Sequence, residues 1–274
     1  MYASRDRYSP ANETFPNLAD CTCRAIAGDS FSKRQEGPNV PATTGNLLLD
    51  ALSPELREAI VSLSRAIDLP HRTQLYEQGE APVYVYFLCT GIASLEVAMA
   101  EGGSAEVGLT GHEGVVGAMH LLGPTPTPSQ ACILVQATAL RIRLDDLRAI
   151  FITSEELRGR ILEFVQQQNV ALEQVAACNK LHEAEQRLAR WLLMCRDRSE
   201  QDTMTLTQEF MAHMLGTRRT TVTLVAGSLQ ERGMISYRRG KVTVISPSEL
   251  EKAACHCYRI CNNALRSLYR PLNA

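Results

Sequence analysis

The chain has 274 residues, 45% of them hydrophobic and 21% charged, with a formal net charge of −2. That is room for one large domain or two ordinary ones, and it excludes a stapled mini-protein, a disordered chain and a fibrous one. No window approaches ~18 consecutive apolar residues. Arg5, Asp6, Arg7, Glu13 and Asp20 break up the start, so neither a membrane span nor a secretory leader is expected. Nine irregularly spaced cysteines do not read as a disulfide framework, which makes a reducing cytoplasm the expected location.

Residues 1–44 are rich in Pro, Ser, Thr, Asn and Gly without sustained periodicity, and are expected to form a flexible tail. From Asn46 a short helix is predicted, with Ser53 as N-cap, Pro54 at its first position and Leu52, Leu56, Ile60 and Leu63 at helical spacing. Residues 45–150 then read as an all-β effector domain of jelly-roll type. Its strands are expected at Gln74–Glu77, Val83–Cys89, Ile92–Ala98, Ala105–Leu109, Ala131–Ala137 and Leu140–Leu144, punctuated by glycines.

Residues 151–181 read as a long helix capped by Ser154, with Glu155 and Glu156 at the positive end of its dipole. Leu157, Ile161, Phe164, Gln168, Ala171, Val175 and Cys178 recur at alternating steps of four and three, the spacing of a coiled-coil seam. A stripe packed on its own domain has the same spacing; a parallel homodimer helix, with Gln168 setting register, is at least as good a reading. A second helix is expected at Glu183–Arg196, presenting Leu188, Trp191, Leu192 and Cys195 on one side.

The charge is segregated. From Thr73 to Leu140 there is no Lys or Arg, but there are Glu77, Glu80, Glu96, Glu101, Glu106 and Glu113. From Thr205 to Ile245, Arg218, Arg219, Arg232, Arg238, Arg239 and Lys241 face only Glu209 and Glu231. Cations so placed release counterions from a polyanion, although a charge run is more often a solvated face. The local pattern favours the first reading. Thr207 can cap a helix from Gln208 to Leu215, Gly216 supplies a tight turn, and Thr217 can cap a second helix through Arg218, Arg219, Thr220, Thr221 and Thr223 to Glu231. Val222, Val225, Ala226 and Leu229 form its buried stripe. This is helix-turn-helix spacing, in which the start of the second helix enters a major groove and Arg219 can fork onto guanine. Two short strands about Arg239 and Gly240, carrying Arg238, Arg239 and Lys241, read as a wing over phosphates.

The segment from Leu206 to Ile245 resembles the winged helix-turn-helix of the Crp/Fnr superfamily of bacterial transcription regulators, and Leu75 to Val97 resembles the start of that family's cyclic-nucleotide-binding-like barrel. The resemblance implies an α+β chain: β jelly-roll barrel, long dimerisation helix, then a winged helix-turn-helix over 182–246 and a C-terminal helix over 247–274. It also implies a homodimer on double-stranded DNA, RNA polymerase as a partner, and specificity contacts on Arg218, Arg219, Thr220, Thr221 and Thr223. Flanking contacts would come from Thr207, Gln208 and Thr217. Many relatives have Ser-Arg-Glu where this chain has Arg218-Arg219-Thr220, so the carboxylate that accepts from cytosine is absent. Nucleotide-binding members hold the cyclic phosphate with Gly-Glu-Leu and a later Arg-Ser or Arg-Thr pair. Here the effector pocket falls on Gly117, Ala118, Met119, Ser129 and Gln130, with neither Glu nor Arg, so cyclic AMP is not expected to bind.

Cys21 and Cys23 fall short of the family's iron–sulfur ligand set. Cys255, His256, Cys257 and Cys261 attract a metal or redox reading, but Ser246, Pro247 and Glu249 open a helix on which Leu250, Ala254, Cys257, Cys261, Leu265 and Leu268 form a packing stripe. No cofactor and no metal site is therefore expected. His112 and His120 read as loop histidines, and no catalytic motif appears. The alternatives are a metal- or small-molecule-dependent barrel enzyme with an accessory helical domain, and a regulator controlled by abundance without an effector. An unknown small-molecule effector stays open.

Overall fold

The computed structural model describes residues 43–100, 103–123 and 126–270; residues 1–42 of the expected tail, with Cys21 and Cys23, and Glu101 lie outside them. Two short helices lead into the β domain, α1 (Leu47–Asp50) and α2 (Pro54–Ser62). The Asn46 side chain accepts from Leu49 N at 3.1 Å and donates to the Leu88 and Gly114 carbonyls at 2.7 and 2.8 Å, so one buried amide caps α1 and pins it to the sheet. Ser53 makes no cap bond with its side chain. Its N–H and hydroxyl donate instead to the Glu156 carboxylate, at 2.6 and 2.8 Å. Leu63 is exposed rather than part of the buried stripe.

Eight strands follow, β1 (Arg65–Leu69), β2 (Gln74–Tyr76), β3 (Tyr84–Leu88), β4 (Ile92–Ala98), β5 (Ser104–Thr110), β6 (Val115–Val116), β7 (Gln130–Val135) and β8 (Ala137–Arg143), with α3 (Met119–Leu122) between β6 and β7. They pair antiparallel in two four-stranded sheets, ordered β1-β8-β3-β6 and β2-β7-β4-β5. Among the described residues no pairing joins the sheets, so the jelly roll is a two-sheet sandwich around Leu69, Leu75, Tyr76, Leu88, Ile133 and Ala139.

The chain then turns helical one element earlier than its sequence suggests, at α4 (Leu144–Thr153), which buries Leu144, Leu147 and Phe151. Ser154 caps the long α5 (Glu155–Leu181) by accepting from Leu157 N at 3.2 Å. Leu157, Ile161 and Phe164, the first half of the expected dimer seam, are fully buried against α1, α2 and the strands of their own chain. Gly114 makes this contact possible, because a Cβ there would overlap the Phe164 ring. Gln168, the expected register position, instead donates to Thr110 Oγ1 at 2.9 Å. The first part of the stripe is therefore packed on its own chain, while Ala171 and Val175 farther along α5 stay half-buried.

A capping box of Glu183 and Gln186 opens α6 (Ala184–Ser199), followed by β9 (Thr203–Thr205), α7 (Gln208–Met214), α8 (Arg219–Glu231), β10 (Ile235–Arg238) and β11 (Lys241–Val244). The three strands form a separate sheet, ordered β10-β11-β9. Trp191, Leu192, Met211, Val222, Ala226, Leu229, Val242 and Val244 make its core, which continues into Ile92, Leu109, Leu134 and Val135 of the β domain. The expected single C-terminal helix is broken into α9 (Pro247–Ala253) and α10 (Cys257–Ser267). No helix among the described residues is long and apolar enough to cross a membrane.

Candidate nucleic-acid interface

Thr207 caps α7, its hydroxyl accepting from Phe210 N at 3.1 Å. After α7 the chain reverses through Gly216 at φ +56°, a left-handed conformation that costs glycine little. The N-cap of α8 is Arg218, one residue later than the Thr217 expected, and it makes no side-chain cap bond. The first N–H groups of α8 thus retain the positive end of the helix dipole for an external anion. Val222, Ala226 and Leu229 are buried, while Arg218, Arg219, Thr220 and Thr223 are exposed and Thr217 and Thr221 are half-buried.

Arg238, Arg239, Gly240 and Lys241 form the wing tip. Arg239 and Gly240 both have positive φ, +51° and +75°, the backbone of a two-residue hairpin turn that follows the twist of its strands. Among the described residues, Arg218, Arg219, Arg238, Arg239 and Lys241 form no ion pair. Arg232 does: its Nη2 lies 2.5 Å from Glu185 Oε1, which withdraws it from the cationic face.

Polar contacts hold these parts in register. Thr223 Oγ1 has two acceptors in reach of its one proton, Gln208 Oε1 at 2.8 Å and the Arg219 carbonyl at 3.0 Å, Gln208 N donates to Tyr237 Oη at 3.2 Å, and Tyr237 N donates to Gln230 Oε1 at 2.6 Å. Gln208 and Thr223, both expected at a ligand, therefore also support the frame. Sequence reading missed Leu224, which is 74% exposed on the α8 face beside Thr220 and Thr223. An apolar residue one step from Thr223 reads as a misplaced core position until the helix phase is fixed. On this face it suits a thymine methyl.

In the β domain, Gly117, Ala118, Met119 and Ser129 line one cavity with Tyr76, Leu95, Thr110, Val115, Thr127 and Gln168; Gln130 lies outside it. Its volume is about 30 Å³, room for about one water. His120 is 3% exposed in α3, edge-on to Tyr76 at 5.4 Å, rather than a loop residue. A larger open cleft, about 440 Å³, lies instead among His112, Glu113, Arg196, Asp197, Glu200 and Arg266.

The model of the Crp-like helix-turn-helix domain matches residues 186–253, and that of the cyclic nucleotide-binding domain matches residues 67–154. The chain is a transcription regulator of the Crp/Fnr family. It is 22% identical over 209 residues to the CRP-like cAMP-activated global transcriptional regulator of Mycobacterium tuberculosis, covering 74% of this chain and 93% of that protein. The fold is also that of a Crp/Fnr-family regulator from Eubacterium rectale, with a TM-score of 0.60 at 14% identity over 77% of this chain and 99% of the other. The c-di-GMP responsive global regulator CLP of Xanthomonas campestris gives 0.57 at 19% identity, over 70% and 99%. A barrel enzyme is thereby set aside: this Crp/Fnr regulator carries its chemistry in a helix-turn-helix DNA-binding domain.

Proposed function

We propose that this regulator binds a two-fold symmetric duplex site as a homodimer in the cytoplasm, with the start of α8 in the major groove and the wing over phosphates. The observation that carries this is the gathering at the α8 start and the wing tip of five cations that form no ion pair among the described residues, against a β domain without Lys or Arg from Thr73 to Leu140. Arg218, Arg219, Thr220 and Thr223, with Leu224, would read base edges; Thr207, Gln208, Thr217 and Thr221 flank them, and Arg238, Arg239 and Lys241 would position the wing. With Leu157, Ile161 and Phe164 packed on their own chain, the dimer contact would use the part of α5 that stays accessible, which includes Leu162 and Leu172, 48% and 43% exposed, and the half-buried Ala171 and Val175. RNA polymerase is the partner through which such a regulator acts.

The test uses duplex sites selected from random DNA. Arg219→Ala is expected to cost about 1–3 kcal/mol of specific affinity and to relax selection at one base pair per half-site, with non-specific binding mostly retained. Lys241→Ala should weaken specific and non-specific binding alike and lower the salt slope by about 1 per half-site. An unchanged affinity in Arg219→Ala would remove α8 from the groove.

The mycobacterial relative is cAMP-activated and the Xanthomonas one responds to c-di-GMP. Neither effector suits the cavity here. A ligand pocket runs to roughly 300–1,000 Å³, whereas this space is about 30 Å³ and its lining contains no cation to meet a phosphate. The filled interior favours control without an effector bound between the sheets. Calorimetric titration with cyclic AMP is expected to show no saturable heat; tight, stoichiometric binding would overturn this.

A further inference from the structure

The break between α9 and α10 leaves four ligand-type side chains together at the far end of α5. Cys178 and His182 stand four residues apart, on one face of that helix end, and Cys255 and Cys257 come from the α9–α10 turn. Cys178 Sγ lies 3.4 Å from Cys255 Sγ, and Cys257 Sγ lies 3.5 Å from His182 Nδ1. The four ligand atoms all lie within 4.8 Å of one another. On a continuous helix, residues two apart face different sides, so the expected stripe could not have brought both Cys255 and Cys257 here. All three cysteines are buried, and His182 closes the solvent side with its ring edge-on to His256 at 5.2 Å.

We propose that Cys178, His182, Cys255 and Cys257 bind a single thiophilic divalent cation of the zinc class in tetrahedral Cys3His coordination.

Size supports one ion. Ligand sulfurs about 2.3 Å from a tetrahedral zinc stand roughly 3.8 Å apart, close to the spacings found, so only small side-chain movements are needed. An iron–sulfur cluster spreads its thiolates over different irons and needs them farther apart. The thiolate and imidazole donors exclude magnesium and calcium, which take oxygen.

Charge supports it too. Binding breaks three Sγ–H bonds and releases three protons to solvent, so a divalent ion with three thiolates and a neutral imidazole carries a net charge of −1. Arg190 is 3% exposed, forms no ion pair among the described residues and has an Nε without a hydrogen-bond partner. Its charge reaches Cys178, Cys255 and Cys261 and supplies the missing +1. Gln174 Nε2 already donates to Cys257 Sγ at 3.2 Å, as an outer-sphere partner of a metal thiolate does.

The placement gives the ion a task. His182 is the C-cap of α5, where the chain passes from the β half into the DNA-binding half. A bound ion would fasten the α9–α10 turn to that junction, so metal supply would set how firmly the two are joined.

The experiment uses the full-length, reduced protein, made metal-free by chelation and titrated with zinc and with cobalt(II). Expected are one equivalent of either metal, release of about three protons per ion in calorimetry across buffers of different ionisation heat, and cobalt spectra with thiolate charge-transfer and tetrahedral d–d bands. His182→Gln and Cys257→Ser should lose stoichiometric uptake or tetrahedral intensity, and Gln174→Ala should weaken binding on the order of 10–100-fold. Cys261→Ser, on α10 outside the ligand set, should bind as the parent does. Should Cys257→Ser fail to fold, His182→Gln carries the test, because that side chain lies at the solvent edge. Substoichiometric uptake by the folded parent, unchanged cobalt spectra in the ligand variants, or reaction only as a Cys178–Cys255 disulfide without metal binding would each overturn the proposal.

Discussion

Arg198→Ala is expected to destabilise the folded regulator by about 3–5 kcal/mol, seen as a lower denaturation midpoint. Arg198 Nε lies 2.9 Å from Glu113 Oε1, with the two side chains 3% and 2% exposed, and its Nη1 donates to the Met194 carbonyl at 3.2 Å. Among the described residues Glu113 Oε2 accepts only the Gly111 N–H, at 2.9 Å. Truncation would leave a buried carboxylate facing one backbone donor and a cavity where the guanidinium stood. The asymmetry is testable: Arg198→Met with Glu113→Leu removes both charges and should recover most of the loss, since a buried pair contributes little beyond offsetting its own desolvation. Arg196 gives the contrast. It pairs with Asp202 at 2.6 Å, but the side chains are 34% and 59% exposed, so Arg196→Ala should cost no more than about 1 kcal/mol. Because Glu113 belongs to the β domain and Arg198 to α6, Arg198→Ala should also separate the unfolding of the two halves into distinct transitions. A loss below about 1 kcal/mol would mean that water reaches the carboxylate.

How far the sequence carries depends on whether a property is local. The turn at Gly216, the Thr207 cap and the bounds of β4 are written within a few residues, and the structure has them where the residues place them. Helical spacing at Leu157, Ile161 and Phe164 announces burial correctly but not what covers the face, because a partner helix and the chain's own sheet demand the same period. The strand β1 carries Arg65 and Asp68 on a sheet edge and so lacks a run of apolar residues. α4 follows β8 without a gap, and its start at Leu144 reads as the end of a strand. Least legible is the cysteine–histidine grouping: Cys178 and Cys255 are 77 positions apart, and the helix break beside Cys255 has no Gly or Pro to mark it.

Glu106→Gln is expected to raise stability at pH 8 and above by a few kcal/mol, on the order of 3, and to flatten its dependence on pH. Glu106 is part-buried, yet its carboxylate lies among groups that exclude water: Oε1 accepts from Trp191 Nε1 at 2.8 Å, and Oε2 lies 3.1 Å from the fully buried Ser94 Oγ. Burial pushes its pKa from 4.5 up to about 8, against the pull of the Trp191 and Ser94 hydrogen bonds and of Arg190, with Glu96 adding to the rise. The hydrogen bonding agrees. Ser94 Oγ has a single proton but two acceptors in reach, Glu106 Oε2 and Met214 Sδ, the latter at 3.6 Å. A protonated Glu106 resolves the conflict by donating to Ser94, whose own proton then turns to Met214. Below the unfolded pKa both states hold the proton and Glu106 imposes no charge penalty. As pH rises from about 4.5 to about 8 the unfolded chain ionises while the folded one does not, so stability falls; above 8 the penalty is constant. Gln keeps an acceptor for Trp191 and a donor for Ser94 without ever ionising. The contact joins β4 and β5 to α6 and α7, so the same substitution should hold the DNA-binding half more firmly to the β domain at alkaline pH. Thermal unfolding of both proteins between pH 5 and 9 is the measurement, and parallel stability profiles across that interval would show that Glu106 does not keep its proton in the folded state.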